Sequence, residues 1–517
     1  MIVSTSEVEV NNKKRRNSVF QYFLDFIEKT GNKLPDVITL FFILTVLILI
    51  SSFIAGKLGV SAINPATKEK IEAVNLLSRE GLIKILSEMV NNFMSFPPLG
   101  LVLVVMLGVG LAESTGLVSA LLKKMVSIAP KKLILPAIVL IGVVGNSAAD
   151  AAMIVLPPIA ALVFLSIGKH PIVGLAMTYA AVAGGFSANL ILAMLDVMIA
   201  GFTESSAQFI DKSYKANPAM NYYFLVASTF VLIPVTVFVT KKIVEPRFGI
   251  YNGPADTEGE TTKLTLEEAK GLKWAGLSFF VYLVLLLFAT LPKNALLRHP
   301  ENGGLLDSPF MDGLVPIMFV AFFIPALAYG MGAKVLKSDK DVSQHLTKAM
   351  SGMGYYIVLA FISAQMITYF EWSNLGSIIA IKGAELLQII GLTGLPLLLG
   401  FIILCGFINL LIASASAKWA ILSPIFVPMF MLIGYSPAFT QMAYRIGDSI
   451  TNPITPMLAY FGIVLTFAKK YDRTLGVGTL ISALLPYSIA YFIFWTILFS
   501  VWYFLGLPLG PGHYIRL

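Results

Sequence analysis

Charged residues are scarce in this chain: Asp, Glu, Lys and Arg make up 13% of its 517 residues, about half the share usual in a soluble domain. With 57% hydrophobic residues and a mean hydropathy of +0.82, that deficit excludes a soluble enzyme and suits a protein whose solvent is mostly lipid. Cysteine occurs once, as Cys405 inside an apolar run, which excludes an intrachain disulfide. The four histidines, His170, His299, His345 and His513, are far apart and form no metal-binding motif, so no metal is expected beyond a possible Na+. There is no G-x-x-x-x-G-K-[ST] loop for a built-in ATPase, no zinc-protease motif and no serine-nucleophile elbow; no organic cofactor is expected. Gly108-Val109-Gly110 falls within an apolar segment and carries no nucleotide signal.

What remains is apolar sequence divided by short basic segments. Nine stretches suffice to cross a bilayer, near 36–56, 95–115, 171–200, 221–240, 273–292, 313–331, 353–370, 437–468 and 478–505. The first holds an uncharged run from Val37 to Ile54 with no small-residue cleavage site close behind, and reads as an uncleaved span. Two further stretches, 133–168 and 392–434, are too long for one crossing and are broken in the middle by small, polar and proline residues. If both enter and return, and the N-terminus is cytoplasmic, 24 Lys and Arg residues fall inside and 11 outside, the bias of the positive-inside rule. The net charge of +8 is therefore assigned to membrane orientation, not to nucleic acid. Nine crossings put the C-terminus outside.

The expected organisation is a cytoplasmic segment 1–35, a first half 36–240, a flexible cytoplasmic linker 241–272 and a second half 273–517. The halves resemble each other. Asn146-Ser147-Ala148-Ala149-Asp150 leads into Pro157 and Pro158, as Ser414-Ala415-Ser416-Ala417-Lys418-Trp419 leads into Pro424 and Pro428. Met177-Thr178-Tyr179 precedes the polar break Ser187-Ala188-Asn189, as Met442-Ala443-Tyr444 precedes Thr451-Asn452-Pro453. Polar breaks at matching places in two halves point to an inverted-repeat transporter and to its binding site. The expected fold is an all-α polytopic membrane protein with nine spans and two re-entrant helical hairpins.

Interrupted backbone within a membrane must be buried in protein or line a cavity, and its freed carbonyls and N–H groups can bind ions. Asn146, Asp150, Ser187, Asn189, Thr451 and Asn452 are therefore the candidates for ion coupling; the same residue types also serve simply to pack helices closely. Asp150, Asp196, Arg445 and Asp448 are ionisable residues in apolar stretches, costly there and functional candidates by default. Arg445 and Asp448, three residues apart, are placed to pair on one helix face. Lys418 is read either as an anchor or as a charge for substrate, and Trp419 either as packing or as a stacking face.

Gly31-Asn32-Lys33-Leu34-Pro35-Asp36, the 145–158 hairpin, Ser187-Ala188-Asn189-Leu190, Ser416 to Trp419 and Tyr444-Arg445-Ile446-Gly447-Asp448 together resemble the AbgT family of p-aminobenzoyl-glutamate transporters, over almost the whole chain. The resemblance implies a homodimer in the cytoplasmic (inner) membrane, with nine spans and two hairpins in each subunit. It implies secondary transport of p-aminobenzoyl-glutamate, a related aminobenzoate or a sulfonamide-like antimetabolite, coupled to H+ or Na+. It also implies a substrate site of Asp196, Asn409, Ser416, Trp419, Pro437, Arg445, Asp448 and Pro456. Another organic anion such as a dicarboxylate is the alternative cargo; a membrane-embedded enzyme or a channel is the alternative class.

Overall fold

The computed structural model describes residues 35, 37–63, 68–128, 130, 133–146, 151–249, 251, 253, 264–305, 308–391 and 393–517. Asp150, Ser147 and most of the 252–263 linker lie outside them. The described residues fold mostly into helices. The first half holds α1 (Val37–Leu58), α2 (Arg79–Met94), α3 (Pro97–Ser114), α4 (Leu117–Ile128), α5 (Ile134–Gly145), α6 (Ala151–Ser166), α7 (Pro171–Tyr179), α8 (Met194–Ala207) and α9 (Tyr222–Val239). The second holds α10 (Leu266–Thr290), α11 (Leu314–Gly332), α12 (Asp339–Ser351), α13 (Gly354–Trp372), α14 (Leu375–Ile389), α15 (Gly394–Leu411), α16 (Ala415–Leu432), α17 (Pro437–Thr451), α18 (Ala459–Tyr471) and α19 (Val477–Leu505). A two-stranded antiparallel ribbon, β1 (Ser61–Ile63) with β2 (Lys70–Glu72), follows α1.

Among the described residues eight helical segments are long and apolar enough to cross a membrane, with α2 and α3 counted together, or nine if α12 and α13, bent by 45° at their junction, count as one span. The number agrees with expectation but its composition differs. The segments 171–200 and 437–468 are not continuous spans: α7 runs into a π-helical turn, Ala180–Gly184, and stops before α8, while α17 passes into a 3-10 turn, Asn452–Ile454, before α18. Pro453 lacks an amide hydrogen and its ring clashes with the preceding turn, which accounts for the second break. Conversely, α15 and α16, the arms of the expected second hairpin, are each 18 residues long and meet the length requirement singly.

The two halves share an order of elements. A long helix (α3 or α13) precedes a short one (α4 or α14), then a helix pair (α5–α6 or α15–α16), a broken pair (α7–α8 or α17–α18) and a long helix (α9 or α19). The last of each set, α9 and α19, pack together and are tied by Thr236 Oγ1–Tyr491 Oη (2.6 Å), Thr240 Oγ1–Tyr487 Oη (2.8 Å) and Trp495 Nε1 donating to Ser228 Oγ (2.7 Å). The broken pairs interlock: α8 packs on α16, and α18 on α6. Close approach is bought by glycine. A Cβ on Gly447 of α17 would lie 2.4 Å from Ile402 O of α15.

Burial separates the interior from the rim. The best membrane window of α10 is 6% buried and that of α1 17%, against 67% for α16. α10 and α1 thus present leucine, isoleucine and phenylalanine outward, as lipid-facing helices do.

Candidate functional site

The four chain interruptions converge. A cavity of about 230 Å³ is lined by Asn146 after α5, Phe186 after α7, Ala413 and Ser414 between α15 and α16, Ala415 and Ser416 at the start of α16, and Asn452 and Leu458 between α17 and α18. Met153 of α6, Met194, Leu195 and Met198 of α8 and Tyr460 of α18 complete it. Methionine thioethers give it a soft, adaptable apolar wall. Its volume is below the roughly 300–1,000 Å³ of small-molecule sites, so admitting a drug-sized ligand requires its walls to part.

Two buried ion pairs join α8, α16 and α17; their four side chains are not among the cavity's lining residues. Asp196 stands in the first turn of α8, where one carboxylate oxygen accepts from the Ala193 amide at 2.6 Å. The other takes Arg445 Nη1 of α17 at 2.5 Å, with both side chains at most 4% exposed. The pair joins the first half to the second. The second pair is Lys418 Nζ of α16 with Asp448 Oδ1 of α17, at 2.5 Å and fully buried. Lys418 also donates to Asn409 Oδ1 of α15. Asn409 Nδ2 in turn faces Asp448 O (2.7 Å), Thr451 Oγ1 (2.9 Å) and Asn452 Oδ1 (2.8 Å).

The intrahelical pair expected between Arg445 and Asp448 does not form. Residues three apart on a helix share a face, but each here meets an opposite charge on another helix. In a medium without water such a partner outweighs a solvent-style local pair.

Trp419 is fully buried and stacked on Tyr444, with ring centroids 4.5 Å apart. Its Nε1 donates to Thr203 Oγ1 at 2.8 Å, and Thr203 begins a polar chain through Gln441 (2.5 Å) to Asn221 (2.7 Å). In this conformation the indole packs on protein, with one face taken by Tyr444. Ser416 lines the cavity. Pro437 opens α17, some 20 Å from the Thr451 end at the ordinary helical rise, and is not brought to the cavity. Pro456 lies in the break beyond Asn452.

At the first break, Asn146 Nδ2 donates to Gly185 O at 3.1 Å, while Asn146 Oδ1 and Ser187 Oγ are buried with no hydrogen-bond partner among the described residues. Asn189 turns its carbonyl onto the Leu190 amide (2.8 Å). The Lys418–Asp448 pairing and the Thr203–Gln441–Asn221 chain were beyond the sequence. Lys418, Gln441 and Asp448 are visible as polar residues within apolar stretches, but pattern alone does not name their partners.

A larger cavity, about 460 Å³, lies away from these charges, among Glu204, Lys215, Asn217, Asp312 and His513. His513 Nε2 is 2.9 Å from Asn217 Nδ2, and burial lowers the imidazole pKa.

The chain matches the model of the AbgT transporter family over residues 22–517. The chain belongs to the AbgT family. Among AbgT relatives, it is 37% identical to the p-aminobenzoyl-glutamate transport protein of Escherichia coli (strain K12), over 95% of this chain and 96% of that one. It is similar to the solved Alcanivorax borkumensis YdaH transporter (39% identity, TM-score 0.89, 92% of this chain and 100% of that one), whose topology is described as unusual. It is similar also to Neisseria gonorrhoeae MtrF (45% identity, TM-score 0.89, 95% and 100%), described with a class of antimetabolite efflux pumps. This AbgT protein is thus a multi-pass membrane transporter, and its relatives are transporters, not enzymes.

Proposed function

We propose that the chain moves p-aminobenzoyl-glutamate, or a related aminobenzoate or sulfonamide-like antimetabolite, across the cytoplasmic membrane by alternating access, coupled to a H+ or Na+ gradient. The observation that carries this reading is the Arg445–Asp196 pair. It is a buried guanidinium tied across the two halves; α8, which carries Asp196, lines the cavity where the four breaks meet, and Asn452, the residue after α17, lines it too. A guanidinium is the side chain best shaped to take a carboxylate through two parallel hydrogen bonds. A substrate carboxylate displaces Asp196 from Arg445, and the freed Asp196 takes a proton or faces a cation. Binding and ion movement are then linked through one contact. The orphaned oxygens of Asn146 and Ser187 support a second ion position at the first break. The named cargo of the Escherichia coli relative and the efflux role described for the Neisseria protein supply the substrate class.

The same reading has the halves as inverted repeats, the N-terminus cytoplasmic, the C-terminus outside and the functional unit a homodimer. The repeated element order and the 24-to-11 distribution of basic residues support the first three. The exposed apolar faces of α1 and α10 offer surface for the last. The test is uptake and efflux of labelled p-aminobenzoyl-glutamate in proteoliposomes under imposed proton or sodium gradients. Saturable movement that follows one gradient is expected. Transport indifferent to both overturns the secondary-active reading. Cysteine labelling at position 169 from the cytoplasmic side only is expected for a first hairpin that enters and returns.

A further inference from the structure

Lys418 stands outside the residues to which the family resemblance points, yet it is the most deeply buried cation in the described structure. It sits in the first turn of α16, with its amide bonded to Ser414 O at 3.0 Å. Its ammonium meets two side-chain oxygens. Asp448 contributes a carboxylate oxygen at 2.5 Å, held by charge without a well-angled hydrogen bond. Asn409 contributes Oδ1. The orientation of that amide is set from behind, because its Nδ2 faces three acceptors on the end of α17 and the break after it. The site is also the last turn of α17, where terminal carbonyls lack intrahelical partners and the helix dipole is negative. A carboxylate oxygen, an amide oxygen and a negative helix end are the kind of oxygen donors that a hard bare cation selects. The Cys405 thiol one turn from Asn409 on α15, Tyr444 and Arg445 on α17 and Asp196 on α8 are the other ionisable groups nearby.

Carrying the Ser147-to-Ser414 spacing across, Lys418 falls opposite Ala151 and Asn409 opposite Gly142; carrying the Met177-to-Met442 spacing across, Asp448 falls opposite Ala183. The ammonium–carboxylate pair belongs to the second half alone. We propose that Lys418 is a tethered cation: its ammonium fills a sodium-type site at the C-terminal end of α17, so that no free Na+ binds there during transport. The consequence for coupling rests on the carrier reading above, but occupancy of the site is measured without substrate, so the two can fail separately.

The experiment compares melting temperatures of the purified full chain in NaCl and in choline chloride at equal ionic strength. The proteins are wild type, Lys418→Met and Lys418→Met with Asp448→Asn. Removing the ammonium alone leaves Asp448 and Asn409 to recruit Na+. The single variant is therefore expected to gain a saturable Na+ stabilisation beyond that of wild type. At Na+ about 100 times its half-saturating concentration, the folded-to-unfolded ratio rises about 100-fold. The double variant, without the carboxylate, responds as wild type does. A single variant no more sensitive to Na+ than wild type overturns the proposal, as does an equal gain in the double variant. If Lys418→Met is not recovered, Lys418→Ser, which offers a hydroxyl oxygen, is read in the same way. Failure of both single variants with and without Na+, beside a folded double variant, also overturns it, because the vacated site then holds no cation.

Discussion

Arg445 and Asp196 are buried side chains of opposite charge, and the cost of separating them is set by that burial. Arg445→Met leaves Asp196 buried without a counter-charge and is expected to lose about 3–5 kcal/mol of stability. Fluorescence-detected size exclusion will show it as lost monodisperse protein. Adding Asp196→Leu removes the stranded carboxylate, and should restore the folded peak but not transport. Arg445→Lys keeps the charge and loses the fork. The apparent substrate constant should rise tenfold or more, equivalent to about 1.4 kcal/mol, with folded yield near wild type. Equal loss of yield in all three would make the pair purely structural. His513 gives a pH prediction. Its neutral ring accepts the Asn217 hydrogen bond, and burial lowers its pKa in the fold. Stability from this contact is complete above the ordinary histidine pKa of about 6.5 and is lost as pH falls below it. Proteolysis of the C-terminal tail should therefore accelerate as pH falls below about 6.5, and less so in His513→Gln.

Among the elements, the α15–α17 contact is the tightest that bears on the site. Gly447 lets the backbones of α15 and α17 touch beside Asn409 and Asp448. An added methyl would meet Ile402 O at 2.4 Å and the Cys405 Cβ at 2.6 Å. Gly447→Ala is expected to cost about 1–3 kcal/mol by overpacking and to lower the melting temperature, with a further loss of transport because α17 carries Arg445 and Asp448. A melting temperature unchanged from wild type would mean that the two helices separate freely. The broken pairs have a different logic. Their unwound turns are tolerated because Asn146, Asn409 and Asn452 bond to the freed groups around them, Asn452 Nδ2 reaching Ala183 O at 3.1 Å across the halves.

For the whole molecule, the small cavity between interlocked breaks means that α8 and the α15–α16 turn must separate for cargo to enter. Leu195 and Ser416 face the same cavity from the two halves. Bridging Leu195→Cys and Ser416→Cys with a bifunctional thiol reagent should abolish transport, and reductive cleavage of the bridge should restore it; Cys405 is buried and does not compete. Transport that survives the bridge would place the moving boundary elsewhere.

The sequence by itself determined the class of fold and the places where it is interrupted. Hydropathy and charge scarcity fix how many segments lie in lipid, because each must satisfy its own backbone there. The paired polar breaks at Ser187-Ala188-Asn189 and Thr451-Asn452-Pro453 could be read for the same reason: polar residues persist in lipid only where protein surrounds them. Asp196, Arg445, Asp448 and Lys418 were equally visible as charges out of place. Only the tertiary structure decided who pairs with whom. Arg445 reaches across 249 residues to Asp196 while Asp448, one turn away, turns to Lys418. Pairing in a buried interior follows the three-dimensional proximity of opposite charges, and helix packing, not spacing along the chain, sets that proximity.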